Sequence, residues 1–170
     1  MTLLVAGGDG GGGQYINASV GAGGGGAAGI GMGNLSFSAH TLYSITVGQG
    51  GAGAASISDL QGASGQDSSV IGAEMSEIAY GGGGGDSAVN NPGTLGSAGG
   101  SGGGSSGVRA LVSGAAIKGA GTQLTYYGNV GGYNSAGYAN LGCGGGGSQY
   151  SGAGNSFQGS NLGGIGGEGQ

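Results

Sequence analysis

Leu42-Tyr43-Ser44-Ile45-Thr46-Val47-Gly48-Gln49-Gly50-Gly51-Ala52-Gly53 contains, side by side, the two kinds of segment from which this chain is built. In the first half Tyr43, Ile45 and Val47 alternate with Ser44 and Thr46, the period-two pattern that turns one face of a strand inward and the other toward water. The second half has almost no side chains. Ordering it costs about 1–2 kcal/mol of backbone entropy per residue, and glycine loses more freedom than any other residue. Hydrophobic burial cannot offset that cost where there is nothing to bury. An ordered tract must therefore pair its N–H and C=O groups with neighbouring segments.

The same alternation of short apolar runs and glycine blocks extends along the chain. Strand-length runs occur at 3–6, 35–37, 42–47, 70–71, 78–80, 108–112 and 123–127, and glycine tracts at 7–13, 21–29, 81–85, 96–107, 142–147 and 163–169. Helical periodicity of useful length is missing, and interior glycine costs a helix about 1 kcal/mol per residue relative to alanine; residues 73–79 are the best helical candidate and a poor one. A regular conformation that suits the tracts is the left-handed three-residue helix, whose backbone groups point outward and must bond laterally. Bare glycine lets such helices approach closely, with Ser, Ala, Asn or a larger residue expected only where a position faces out. Ile165 and Glu168, three apart, fit one row of such a helix. The expected fold class is mainly β and irregular, with short strands combined with packed polyglycine II helices in a glycine-rich sandwich and little or no α-helix.

Composition limits the alternatives. The 54 glycines among 170 residues suggest collagen first, but a triple helix needs glycine at every third position and abundant proline, and Pro92 is the only proline. Leu, Ile, Val and Phe number only 28, which leaves disorder as the competing reading. Against it, charged residues are 5% of the chain, too few for repulsion to hold it open, and the apolar residues are clustered. No composition shift divides residues 1–170, which are read as one glycine-rich structural domain.

Two basic residues, Arg109 and Lys118, stand against seven acids, giving a net charge of −5. Nucleic acid is excluded as a partner, because that affinity comes from several Lys and Arg releasing counterions. Polybasic membrane anchoring is excluded on the same count, and no segment is apolar for long enough to insert in a bilayer. Leu3-Leu4-Val5-Ala6 lacks the basic lead-in and length of a signal peptide, so the expectation is synthesis in a cytoplasm without one. Cys143 is alone, which removes internal disulfides and cysteine metal clusters.

The pattern resembles a family of glycine-rich domains found in phage tail-fibre and virion proteins and in some bacterial surface proteins. The resemblance rests on Leu3-Leu4-Val5-Ala6-Gly7-Gly8, on the stretch from Leu42 to Gly53 quoted above, and on Ala79-Tyr80-Gly81-Gly82-Gly83-Gly84-Gly85. It implies a polyglycine-helix sandwich of the phage-adhesin kind. The chain departs from that pattern in ending on glycines rather than an apolar strand and in starting at the domain boundary. Both departures favour a small separate subunit over a long fibre. The implied function is a structural component of a bacteriophage virion surface, a coat, decoration or tail-fibre subunit acting through protein–protein contacts. The alternatives are a tip adhesin that binds a host outer-membrane protein or glycan, and an ice-binding or bacterial cell-surface protein. The expected location is the virion surface. Expected partners are further copies of the chain and other virion proteins, with a host surface receptor on the adhesin reading.

Chemical motifs are cheap in so much glycine. Gly21-Ala22-Gly23-Gly24-Gly25-Gly26 spells a dinucleotide fingerprint without the helix and acid that would make it one, and Lys118 lies outside any phosphate-loop pattern. Gly99-Gly100-Ser101-Gly102-Gly103 spells a nucleophile elbow without a strand-to-helix context. His40, the only histidine, reads as a turn or edge residue, and a catalytic triad would have to use it. Residues 81–86 spell one copy of a calcium-binding glycine–aspartate turn, which works only in stacked copies. Asp9, Asp67 and Asp86 are the carboxylates that a surface cation would use, but no enzyme activity, metal site or cofactor is expected. The remaining signal is tyrosine. Tyr126, Tyr127, Tyr133, Tyr138 and Tyr150 gather with Asn129, Asn134, Asn140 and Gln149, a composition that gives rigid contact area at low entropic cost. These five tyrosines are the candidate subunit or receptor contacts, with packing over the edges of the glycine layers as the plainer alternative.

Overall fold

Among the described residues seven short strands form, five of them at the apolar runs, and in the computed structural model they make two antiparallel sheets. The structure describes residues 1–12, 21–54, 61–72, 74–87, 95–106, 112–133, 142–152 and 167. The strands are β1 (Thr2–Val5), β2 (Ile30–Gly33), β3 (Ser44–Thr46), β4 (Ser68–Gly72), β5 (Met75–Ala79), β6 (Gly119–Ala120) and β7 (Leu124–Tyr127). One sheet has the order β1-β2-β7, with Leu4 opposite Gly31 and Gly31 opposite Tyr126; the other has the order β3-β4-β5-β6. No helix occurs among the described residues, so the mainly-β expectation holds.

The strands reading 3–6, 42–47, 70–71, 78–80 and 123–127 falls on β1, β3, β4, β5 and β7, whereas 35–37 forms no strand and 108–111 lie outside the described residues. The weak helical candidate at 73–79 is instead mostly β5. β2 and β6 were not legible, because Ile30-Gly31-Met32-Gly33 and Gly119-Ala120 are as glycine-rich as the tracts beside them. Glycine at 31 leaves room for the Leu124 and Tyr126 side chains, which an added Cβ would crowd.

Apolar burial is small. Leu4, Ala6, Ala28, Val70, Met75, Ala79 and Leu124 form the buried cluster, where β1 and β2 meet β4 and β5, with Leu35, Tyr43 and Tyr126 packed against it. A fully buried large side chain contributes about 1.5–3 kcal/mol, and only four of these seven are larger than alanine. The core alone cannot order the rest.

The rest is ordered by backbone. Every N–H and every C=O of residues 80–86 is hydrogen-bonded. The partners change with a three-residue period. Gly82 and Gly85 donate to the carbonyls of Gly7 and Gly10; Gly83 and Asp86 donate to Ser101 and Gly104. Carbonyls of Tyr80, Gly83 and Asp86 accept from Gly29, Gly26 and Gly23; those of Gly82 and Gly85 from Gly65 and Gly62; those of Gly81 and Gly84 from Gly100 and Ser97. The remaining row, the N–H groups of Gly81 and Gly84, is met by the side chains of Asp67 and Ser64 at 2.9 and 3.3 Å. One segment thus bonds in six rows, with the period expected of a three-residue helix.

Glycine is required there for space. A Cβ on Gly81 or Gly84 would overlap the carbonyls of Gly65 or Gly62, one on Gly82 or Gly85 those of Gly26 or Gly23, and one on Gly83 that of Ser97. None of these glycines has a positive φ, so left-handed freedom is not what selects them.

Two sequence expectations are corrected. Serines in the tracts do not simply face out: Ser101 and Ser105 are fully buried, and the Ser101 hydroxyl donates to the Gly147 carbonyl while accepting from the Asn129 N–H. β3 does not turn one face inward either, because it is an edge strand exposed on both faces, with Ile45 67% and Val47 79% exposed. Alternation shows that a strand has two faces; it does not place another layer over one of them.

Replacing Gly83 or Gly145 with Val is expected to abolish cooperative thermal unfolding followed by circular dichroism, since either side chain would strike a neighbouring carbonyl, of Ser97 or Gly25. Ser105→Ala is expected to stay within about 0.5 kcal/mol of the parent, because the buried Ser105 Oγ has no hydrogen-bond partner to lose. Equal tolerance at the glycines and at Ser105 would refute the packed-backbone account.

Candidate functional site

The tyrosine-rich stretch divides into parts with different duties. Tyr126 is on β7 and turns toward β5, where its hydroxyl donates to Glu77 Oε2 at 2.7 Å and accepts from the Ile78 N–H at 3.1 Å. Tyr133 is half exposed and stands apart, and Tyr138 lies outside the described residues, as do Asn134 and Asn140. Tyr127 and Tyr150 come together.

Their meeting follows from the chain path. Tyr127 ends β7, and Gly128 and Asn129 continue into the glycine lattice, where the Asn129 carbonyl accepts from Gly102 and its side-chain amide donates to the Gly147 carbonyl at 3.0 Å. A bend at 148–150, closed by the Gly147 N–H donating to the Tyr150 carbonyl at 2.8 Å, returns Tyr150 alongside. The third wall is Lys118, whose N–H donates to Gly100 and whose carbonyl accepts from Tyr80. The result is an open cleft of about 340 Å³ lined by Lys118, Tyr127, Gly128, Asn129, Ser148, Gln149 and Tyr150. Tyr127 is 37% and Tyr150 59% exposed. Lys118, the one basic side chain among the described residues, was visible in the sequence only as a lone lysine; its proximity to the tyrosines is a product of the fold.

Glu77 is a structural carboxylate that no sequence motif singles out. It is fully buried on the face of β5 that also carries Met75 and Ala79, and that shared period-two face was the available signal. Its Oε1 accepts from the Thr122 and Gln123 N–H groups at 2.7 and 2.8 Å, and its Oε2 from Leu124 at 3.2 Å and from Tyr126. Burial pushes its pKa up, but these hydrogen bonds outweigh burial and hold it below the usual carboxylate range. Burial, with the adjoining Glu77 carboxylate, drives the Tyr126 hydroxyl well above its ordinary value. The cluster clamps the turn before β7 onto β5 and faces no cleft.

The aspartates do not gather either. Asp9 Oδ2 accepts from Gly26 at 2.8 Å, Asp67 Oδ1 from Gly81, and Asp86 from Ser87 and Ser106 at 2.7 and 3.0 Å. Each substitutes for a missing backbone acceptor at a seam of the lattice. Among the described residues no group of three or more His, Cys, Asp or Glu could hold a metal ion. His40 is exposed in the turn before β3 at φ 59°. Burial raises Asp9 to about 7 despite the Gly26 hydrogen bond.

The two carboxylates have opposite linkage. Asp9, raised in the fold, contributes stability that is fully present below its unfolded pKa near 3.8 and lost as pH rises through about 7. Glu77, lowered in the fold, contributes stability present above its unfolded pKa and lost as pH falls below it. Denaturant melts across pH are therefore expected to place the optimum in mildly acidic solution; Asp9→Asn should flatten the decline between pH 4 and 7, and Glu77→Gln should cost about 1–3 kcal/mol near neutrality. An unchanged profile in Asp9→Asn would refute the assignment.

The model of a family described as a glycine-rich domain matches residues 1–170, and the chain belongs to that family. No curated protein and no solved structure matches the chain.

Proposed function

We propose that this member of the glycine-rich domain family is a non-enzymatic structural component of a bacteriophage virion surface, a coat, decoration or tail-fibre subunit that works through protein–protein contacts. The observation that carries the reading is the free edge of the four-stranded sheet. Among the described residues β3 has a neighbour on one side only, and Ile45 within it and Leu42 and Val47 flanking it are 67%, 90% and 79% exposed. An apolar, unpaired edge is what natural sheets avoid unless another chain pairs with it. The backbone lattice supports the same reading, since it gives a stiff body from very few apolar side chains. Partners are further copies of the chain and other virion proteins.

A second reading, a tip adhesin that grips a host surface molecule, is favoured by the cleft between Tyr127, Tyr150 and Lys118, an arrangement of rigid rings and adaptable polar groups suited to recognition.

Immunogold electron microscopy of the source particles and their host cells tests the assignment. Label spread over capsid or tail supports the coat role, label confined to a fibre tip supports the adhesin, and label on cells alone overturns both. In solution, Ile45→Lys with Val47→Lys is expected to abolish self-association measured by sedimentation while shifting the melting temperature little, because both side chains are already exposed. Unchanged association in that variant would exclude the β3 edge as the contact.

A further inference from the structure

The Tyr127–Tyr150 cleft has chemistry beyond a generic contact surface. Two tyrosine rings provide flat apolar faces with polar tips. Gln149, exposed at the rim, and Asn129, held at the base by its bond to Gly147, add amide groups that can donate and accept. Lys118 adds an ammonium with three donors and makes no side-chain hydrogen bond or ion pair among the described residues. In a chain of net charge −5, an exposed cation beside two aromatic rings is a local exception.

The backbone fixes that exception in place. Lys118 is held at φ 57°, in the left-handed region that residues with a Cβ seldom adopt. Lattice hydrogen bonds on both sides, from its N–H to Gly100 and to its carbonyl from Tyr80, maintain that conformation. The ammonium therefore starts from a rigid base next to Tyr127 and Tyr150.

We propose that this cleft binds a saccharide unit carrying a carboxylate. Sugar C–H faces pack on the tyrosine rings, hydroxyls exchange hydrogen bonds with Asn129 and Gln149, and the carboxylate takes a charge-assisted hydrogen bond from Lys118. A volume of about 340 Å³ accommodates one or two sugar rings and matches the small end of ligand sites. The net negative charge of the chain disfavours polyanions, so a single carboxylate on an otherwise neutral sugar is the fitting class. This goes beyond the structural reading and rests on the second one only in using the same cleft. Particle labelling and sugar binding can each fail without the other.

The test is an NMR titration of the full chain with methyl β-glucuronide, methyl β-glucoside and sodium acetate. Saturable shifts are expected at Lys118, Tyr127, Asn129 and Tyr150, with the glucuronide bound about fivefold or more tighter than either control, the scale of one charge-assisted hydrogen bond at a part-exposed site. Lys118→Gln should reduce the glucuronide to the glucoside level, and Tyr150→Ala should weaken both sugars while the amide spectrum stays folded. Absence of saturable shifts at these residues overturns the proposal. So does acetate binding as tightly as the glucuronide, since the rings would then contribute nothing. A preference for the glucuronide that survives Lys118→Gln overturns it as well.

Discussion

Lateral hydrogen bonding between bare backbones is the interaction on which everything else in this molecule depends. Residues 80–86 satisfy all their N–H and C=O groups through six rows of partners, and the segments 7–10, 23–29, 62–65, 97–100 and 101–104 are positioned by those bonds. A single net hydrogen bond is worth only about 0.5–1.5 kcal/mol, but leaving a buried one unmade costs about 1–3 kcal/mol. A lattice in which each segment completes its neighbours is therefore cooperative. The close approach that makes the bonds possible also forbids side chains at the contacts, so the glycine content follows from the geometry.

Side chains in this arrangement repair the seams of the lattice. Asp67 and Ser64 fill the one row around 80–86 that backbone carbonyls do not reach, Asp86 closes onto Ser87 and Ser106, and Ser101 links Gly147 to Asn129. Glu77 does the same at the border with the sheets by taking three successive N–H groups at the entry to β7. The small apolar cluster joins the two sheets where strands replace the lattice. Chemistry available to a partner is left at the periphery, on the β3 edge and in the cleft where Lys118 meets two tyrosines.

Much of the fold was legible from the chain, because period-two alternation and glycine density are local signals. Residues 124–127 and 3–5 read as strands and are strands, and the lateral bonding of the tracts followed from the requirement that buried backbone groups be paired. The candidate site was legible only in part. Tyrosine composition pointed to Tyr127 and Tyr150 but equally to Tyr126, which the fold commits to Glu77. Period-two spacing placed Glu77 on the face of Met75 and Ala79 but gave no sign of its partners, and Lys118 carried no local sign of its role, since each acts on segments more than eight residues away in sequence.

The sequence by itself determined that this protein would be ordered by backbone pairing, with strands at five of the apolar runs and almost no charge to spend on ligands; composition and short-range periodicity suffice for that, being properties of neighbouring residues. Tertiary structure alone decided which tract pairs with which, that serines would be buried as links, that β3 would be an exposed edge, and that Lys118 would stand beside Tyr127 and Tyr150. The physical reason is that glycine tracts are nearly identical to one another. What distinguishes their partners is the path imposed by the strands and turns between them, a long-range constraint that no local window contains.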